Sequence, residues 1–246
     1  LSNHFFFKIH RDLLREGPGN NESTRRAYRM LSEVPKHPHI LDVGCGPGAQ
    51  TIELAKLSAG TITAVDTHEP FLDELNRRAQ TAGVSEQVTA QKASMFSLPF
   101  AAGSFDLIWS EGAIYIMGFE HGLRTWRPLL KPHGSIVVSE LTWLRAAPPV
   151  EIAEFWTENY PGMQDVDGNL ALIEQAGFEV VGHFILPEAG WWEYYQPLEE
   201  RIAVLREQYK DNEEKLAHLA VAQQEIDLYR LYSAYYGYVF YVMQAK

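Results

Sequence analysis

The feature that most constrains this chain is an apolar run, His39-Ile40-Leu41-Asp42-Val43, that stops at Gly44-Cys45-Gly46-Pro47-Gly48. Glycine takes left-handed backbone angles at no steric cost and leaves no Cβ between the backbone and an approaching ligand. Beyond the turn, Ala49–Leu57 reads as a helix whose Ile52, Leu54, Ala55 and Leu57 can face a sheet. Its first turn offers free N–H groups and the positive end of a dipole. A strand, a glycine turn and a helix in that order place a ligand at the carboxyl edge of a parallel sheet.

The rest of the chain repeats that alternation. Thr61–Val65 reads as a second strand ending at Asp66, followed by a helix over Pro70–Ala82 that Gly83 stops. Gln87–Gln91, Phe105–Trp109 and Ile136–Leu141 read as further strands, with a helix over Glu120–Leu130 between the last two. Helices over Glu151–Glu158 and Asn169–Gln175 lead through Gly177 to a strand at Phe178–Leu186, and the final strand is Tyr236–Gln244. This order predicts an α/β fold with right-handed crossovers and a mostly parallel sheet covered on both faces.

Two appendages flank the sheet pattern. Before it, Phe5, Phe6, Ile9, Leu13 and Leu14 share one helical face, Gly17-Pro18-Gly19-Asn20 breaks the chain, and a second helix starts near Asn21. Between the last two strands, Leu198, Ile202, Leu205 and Tyr209 recur at helical spacing, as do Leu216, Leu219, Ala220 and Ile226 less regularly. The expected organisation is a single domain: an N-terminal helical appendage over 1–36, a core over 37–187, a helical insertion over 188–234 serving as a lid or a dimer contact, and the last strand over 235–246.

Composition narrows the partners. The net charge is −11 over 246 residues, which on average repels phosphate backbones and argues against nucleic acid. No apolar run approaches the roughly 18 to 20 residues of a membrane span. The opening Leu1-Ser2-Asn3-His4 leads into a charged amphipathic stretch with no secretory pattern, and Cys45 is the single cysteine. The expectation is a cytoplasmic protein without disulfides or a metal cluster.

Two cofactor classes use such a turn. Gly44-x-Gly46-x-x-Ala49, with Asp66 some twenty residues on, fits a dinucleotide; Asp42-x-Gly44-x-Gly46-x-Gly48 fits S-adenosylmethionine. The glycines do not choose, but Asp42 helps: a carboxylate there repels a pyrophosphate and attracts a cationic amino-acid moiety. Asp66 can accept ribose hydroxyls in either class, or cap the helix that follows.

The blocks Ile40–Gln50, Val65–Phe71, Ser97-Leu98-Pro99-Phe100, Ser104–Glu111 and Leu129–Ser139 make the chain resemble the class I S-adenosylmethionine-dependent methyltransferases, specifically the branch similar to the ubiquinone/menaquinone-biosynthesis methyltransferases. The resemblance covers roughly residues 39–142. It implies a Rossmann-like, seven-stranded sheet whose last strand is antiparallel. It also implies that Gly44, Gly46 and Gly48 line the methionine part of the cofactor, with Asp42 beside it. Asp66 would hold the ribose, with Thr67 and His68 alongside; Ser94 and Met95 would meet the adenine; Ser110 and Glu111 would close the site. The family usually carries Asp at the position of Ser94, whose hydroxyl accepts without charge assistance.

Methyl transfer from a sulfonium is an in-line displacement in which positioning supplies much of the rate. A base is needed only where the acceptor must lose a proton. Glu111, Tyr115 and His121 are the candidates, set against plainer readings: a structural carboxylate for Glu111 and a surface helix residue for His121. Cys45 reads as a small buried filler. Trp191, Trp192, Tyr194, Tyr195 and Tyr160 could wall an apolar acceptor or simply pack the core, and Arg25, Arg26 and Arg29 could meet an acidic acceptor or face solvent. The reading is a methyltransferase acting on a small molecule, possible as a homodimer; its rivals are an NAD-dependent oxidoreductase and a non-catalytic S-adenosylmethionine-binding protein.

Overall fold

The computed structural model describes residues 3–10 and 13–246. The side chain of Phe6, expected on the apolar face of the first helix, lies outside the described residues, as do Leu1 and Ser2. In chain order the elements are α1 (Asn3–Ile9), α2 (Asn21–Met30), β1 (His39–Val43), α3 (Ala49–Leu57), β2 (Thr61–Asp66), α4 (Glu69–Ala82), β3 (Val88–Lys92) and β4 (Phe105–Glu111). There follow α5 (Phe119–Trp126), β5 (Leu130–Trp143), α6 (Val150–Asn159), α7 (Val166–Gln175), β6 (Phe178–Ile185), α8 (Glu188–Gln208), α9 (Glu213–Tyr232) and β7 (Tyr236–Ala245).

The strands form one seven-stranded sheet in the order β3-β2-β1-β4-β5-β7-β6. β1 pairs in parallel with β2 and β4, and β7 runs antiparallel between β5 and β6. The switch in direction of travel falls at β1, so the crevice beyond its carboxyl end is the natural ligand position.

Successive strand residues face opposite sides, and two buried clusters result. Ile40, Leu107, Trp109, Val137, Phe240 and Val242 share one cluster with Leu54 of α3, Leu198 of α8 and Ile226 of α9. Leu41, Ile108, Ile136, Val138, Val239 and Tyr241 share the other with Leu123 of α5 and Ile173 of α7. Tyr236 and Tyr238, in the tyrosine-rich stretch of β7, belong to the first cluster.

Three elements depart from the sequence expectation. α5 stops at Trp126 rather than Leu130, because Pro128 sits in a 3₁₀ turn over Arg127–Leu129 and cannot donate to a helix ladder. β5 begins at Leu130, six residues early; Lys131-Pro132-His133-Gly134 carries no apolar alternation, yet Leu130 pairs with Phe105 across a register irregularity. α8 begins at Glu188 and carries Pro197 in its interior, so Trp191, Trp192, Tyr194 and Tyr195 lie on the helix and not before it. The cost of that proline is offset by burial of Trp191, Tyr195, Leu198 and Ile202, each at most 3% exposed.

The two appendages meet. α1 packs on α8, the Gly19 N–H donates to the Gly190 carbonyl at 3.0 Å, and the Phe5 ring meets Tyr209 edge-on at 5.6 Å. No helix among the described residues is long and apolar enough to cross a membrane.

Candidate functional site

The turn after β1 is held by backbone. The N–H groups of Gly44 and Cys45 both donate to the Val65 carbonyl, at 2.9 and 3.0 Å, which bends the chain back over β2. Two glycines are required by packing. At Gly44 (φ +72°) a Cβ would stand 2.6 Å from that of Ala113, and at Gly48 (φ +88°) it would stand 2.2 Å from Leu75 Cδ1. Gly46 differs: its Cβ would meet the Glu16 side chain at 3.3 Å.

In front of the turn lies a cavity of about 200 Å³. Gly44, Gly46, Asp66, Thr67, Met95, Glu111 and Tyr115 line it, together with Arg15, Glu16, Gly17 and Pro18 from the segment between α1 and α2. From the sequence that segment, an N-terminal strap, reads as the break Gly17-Pro18-Gly19-Asn20 between two helices of a lid, with Arg15 and Glu16 given no role. Its one signal was the charged pair Arg15-Glu16 directly before a Gly-Pro-Gly break. Gln50, Phe71 and Ala113 also line the cavity without having been anticipated.

Asp66 sits at the end of β2, where its Oδ2 accepts from the Gly46 N–H at 3.0 Å and its Oδ1 from the His68 N–H at 2.9 Å. Each oxygen keeps lone-pair capacity toward the cavity. His68 does not line this space. Its ring stacks on Phe7 and borders a second cavity of about 530 Å³ between α1 and the start of α4.

The other expected positions divide. Asp42 is fully buried behind the turn, where it accepts from Thr51 Oγ1 at 2.5 Å and Gln50 Nε2 at 3.4 Å; burial pushes its carboxyl up to about 7. Gln50 in turn reaches the Cys45 carbonyl and the cavity, so Asp42 touches the site through it. Ser110 is buried and donates to the Val43 carbonyl at 2.9 Å, and the Ser94 hydroxyl accepts from the Phe96 N–H at 3.3 Å. Met95 is the side chain of the Ser94-Met95 pair that faces the cavity.

Glu111 is engaged on both oxygens. Oε2 takes Arg15 Nη1 at 2.7 Å, and Oε1 takes Thr24 Oγ1 at 2.7 Å and Trp109 Nε1 at 2.9 Å. Tyr115 stands at the cavity rim, 38% exposed, with its ring edge-on to Tyr160 at 5.8 Å; burial of its hydroxyl side and the acids Glu225 and Glu140 push the phenol up to about 12. His121 lies on the exposed side of α5 and does not line the cavity. Arg25 pairs with Glu53 at 2.8 Å and Arg26 covers the Phe184 ring at 4.0 Å, away from this cavity. Among the described residues no group of three or more His, Cys, Asp or Glu is placed to hold a metal ion.

The charges around the cavity test which cofactor fits. Glu16, Asp66 and Glu111 are three acids, and the one lining cation, Arg15, is spent on Glu111. A pyrophosphate would meet the unpaired charge of Asp66 with no free cation among the described lining residues, whereas a ligand rich in hydroxyl and ammonium donors would satisfy it. S-adenosylmethionine fits that description.

A sheet with an antiparallel β7 inserted between β5 and β6, a glycine turn after β1 and an acid ending β2 define the Rossmann-like methyltransferase fold. Residues 40–134 match the family model described as a methyltransferase domain. It is 28% identical over 220 residues to 27-O-demethylrifamycin SV methyltransferase of Amycolatopsis mediterranei, covering 85% of this chain and 76% of that protein. It is 26% identical over 163 residues to methyltransferase GfsG of Streptomyces halstedii, covering 64% of this chain and 58% of that protein. The chain thus spans under two thirds of the length of that second relative. Among solved structures, an S-adenosylmethionine-dependent methyltransferase from Geobacter sulfurreducens, in complex with S-adenosylhomocysteine, superposes with TM-score 0.85 at 20% identity over 99% of this chain and 98% of that one. The match is to the methyltransferase domain in general, and these comparisons do not single out the quinone-biosynthesis branch.

Proposed function

We propose that the protein is an S-adenosylmethionine-dependent methyltransferase acting on a hydroxyl of a small organic acceptor. The observation that carries the reading is Asp66, held by the N–H groups of Gly46 and His68 at the edge of an acid-lined cavity, with spare acceptor capacity toward a ribose. The cofactor supplies an electrophilic methyl group. Asp66 and Thr67 would hold its nucleoside beside the turn, and Met95 with Phe71 would pack the base. The strap residues Arg15 to Pro18, which line the cavity, would shield the sulfonium from water.

A hydroxyl acceptor is favoured by the relative named for O-demethylrifamycin. Tyr115 and Ile116, 38% and 53% exposed at the outer rim, offer the apolar face such an acceptor needs. Glu111 is engaged on both oxygens and serves to fix the strap, while Tyr115 stays protonated at neutral pH. In-line alignment therefore carries most of the rate.

Titration of the protein with S-adenosylhomocysteine by calorimetry should give a defined affinity. Asp66→Ala should weaken it by about 100-fold, the loss of one or two charge-assisted hydrogen bonds. Labelled methyl transfer to 27-O-demethylrifamycin SV, absent with its O-methylated counterpart, checks the acceptor. Equal binding by wild type and Asp66→Ala would remove the ribose assignment.

A further inference from the structure

Glu16 is an acid that the fold leaves without a partner. Both of its carboxylate oxygens are shielded from solvent, and among the described residues neither meets a hydrogen-bond donor. Burying a carboxylate in that condition is costly, yet the neighbouring contacts hold it there. On one side Arg15 is clamped to Glu111 at 2.7 Å, and on the other Gly19 is tied to the Gly190 carbonyl at 3.0 Å. The Glu16 side chain is thereby laid over the glycine turn, with its Cγ 3.3 Å from where a Cβ on Gly46 would stand.

Its surroundings are a ligand's surroundings. Glu16 borders both the cavity in front of the turn and the one between α1 and α4, and Pro47 and Phe71 are shared between the two. Asp66 adds a second negative charge nearby. The cation closest in effect, Arg78, is spent on Glu74 and on the carbonyls of Leu13 and Leu14. With no donor facing it, burial and the charge of Asp66 push its carboxyl up to about 9.

We propose that Glu16 is a ligand-reading residue: its carboxyl group accepts hydrogen bonds from the hydroxyl or ammonium donors of a nucleoside–amino-acid ligand bound in the cavity that Glu16 and Asp66 both line. This rests on the methyltransferase reading above and adds to it a specificity-determining acid from outside the 40–134 domain.

Calorimetry of wild type, Glu16→Gln and Glu16→Met with S-adenosylhomocysteine and with methylthioadenosine, which keeps the ribose but lacks the amino acid, tests the proposal. Both variants should bind S-adenosylhomocysteine about 10- to 100-fold more weakly, while the ligand-free Tm of Glu16→Met stays level or rises. Weakening with both ligands assigns the donors to the ribose hydroxyls; weakening with S-adenosylhomocysteine alone assigns them to the ammonium. Unchanged affinity in both variants, or weaker binding together with a lowered ligand-free Tm, overturns the proposal. A wild-type protein that binds neither ligand overturns the methyltransferase reading and this one with it.

Discussion

Asp42 shows how a single residue can be legible in type and not in role. Two residues before the first glycine, it reads from the sequence as an acid attracting a cationic cofactor through water or backbone groups; Thr51 and Gln50 hold it behind the turn, fully buried, and it reaches the cavity through Gln50. The consequence is thermodynamic. Its folded pKa, about 7, lies above its unfolded value near 4, so the folded state binds more protons between those limits. The stabilisation is complete below about pH 4 and is lost as pH rises toward 7. Glu140, whose burial behind Tyr160 pushes its carboxyl up to about 8, adds to the same slope. Urea denaturation across about pH 5 to 8 should show stability declining, and Asp42→Asn should flatten the decline by roughly 2–4 kcal/mol.

Among the elements, the N-terminal strap is the one whose placement the site depends on. Sequence periodicity found α1 and the start of α2 but treated what lies between as a break. In the structure that break is pinned at Arg15, whose side chain is 9% exposed against 3% for Glu111. Removing one member of such a buried pair strands the other. Arg15→Met should therefore destabilise the protein by about 3 kcal/mol. Arg15→Met combined with Glu111→Gln should recover part of it, because Thr24 and Trp109 still bond the amide oxygen. Hydrogen exchange over residues 13–20 should speed up in the single variant and not across β1 to β4. The long α8 teaches a related lesson: helical spacing is legible only from Leu198 onward, and burial of Trp191 and Tyr195 against Tyr229 and Tyr236 carries the helix back through Pro197 to Glu188.

For the whole molecule, the last strand closes the sheet. β7 pairs with β5 from Ser135↔Gln244 to Trp143↔Tyr236 and with β6 from Phe178↔Ala245 to Ile185↔Val239, and it is buried along nearly its whole length. A chain ending at Tyr235 would leave two strand edges and both core clusters open. It should show no cooperative thermal transition by circular dichroism, whereas a chain shortened by Lys246 alone should melt as the full one does.

What the sequence determined by itself was local and periodic. Strand–turn–helix punctuation, the glycines at 44, 46 and 48 and the acid at 66 follow from backbone sterics and from the spacing of apolar side chains, and these act over a few residues. The contacts that complete the site belong to tertiary structure alone. Arg15 meets Glu111 across 96 positions, and Glu16 reaches a turn thirty residues onward in the chain. No periodicity encodes such pairs: they exist because packing the strap between α8 and the sheet edge brings charged side chains into a low-dielectric space where each must find a partner or a ligand.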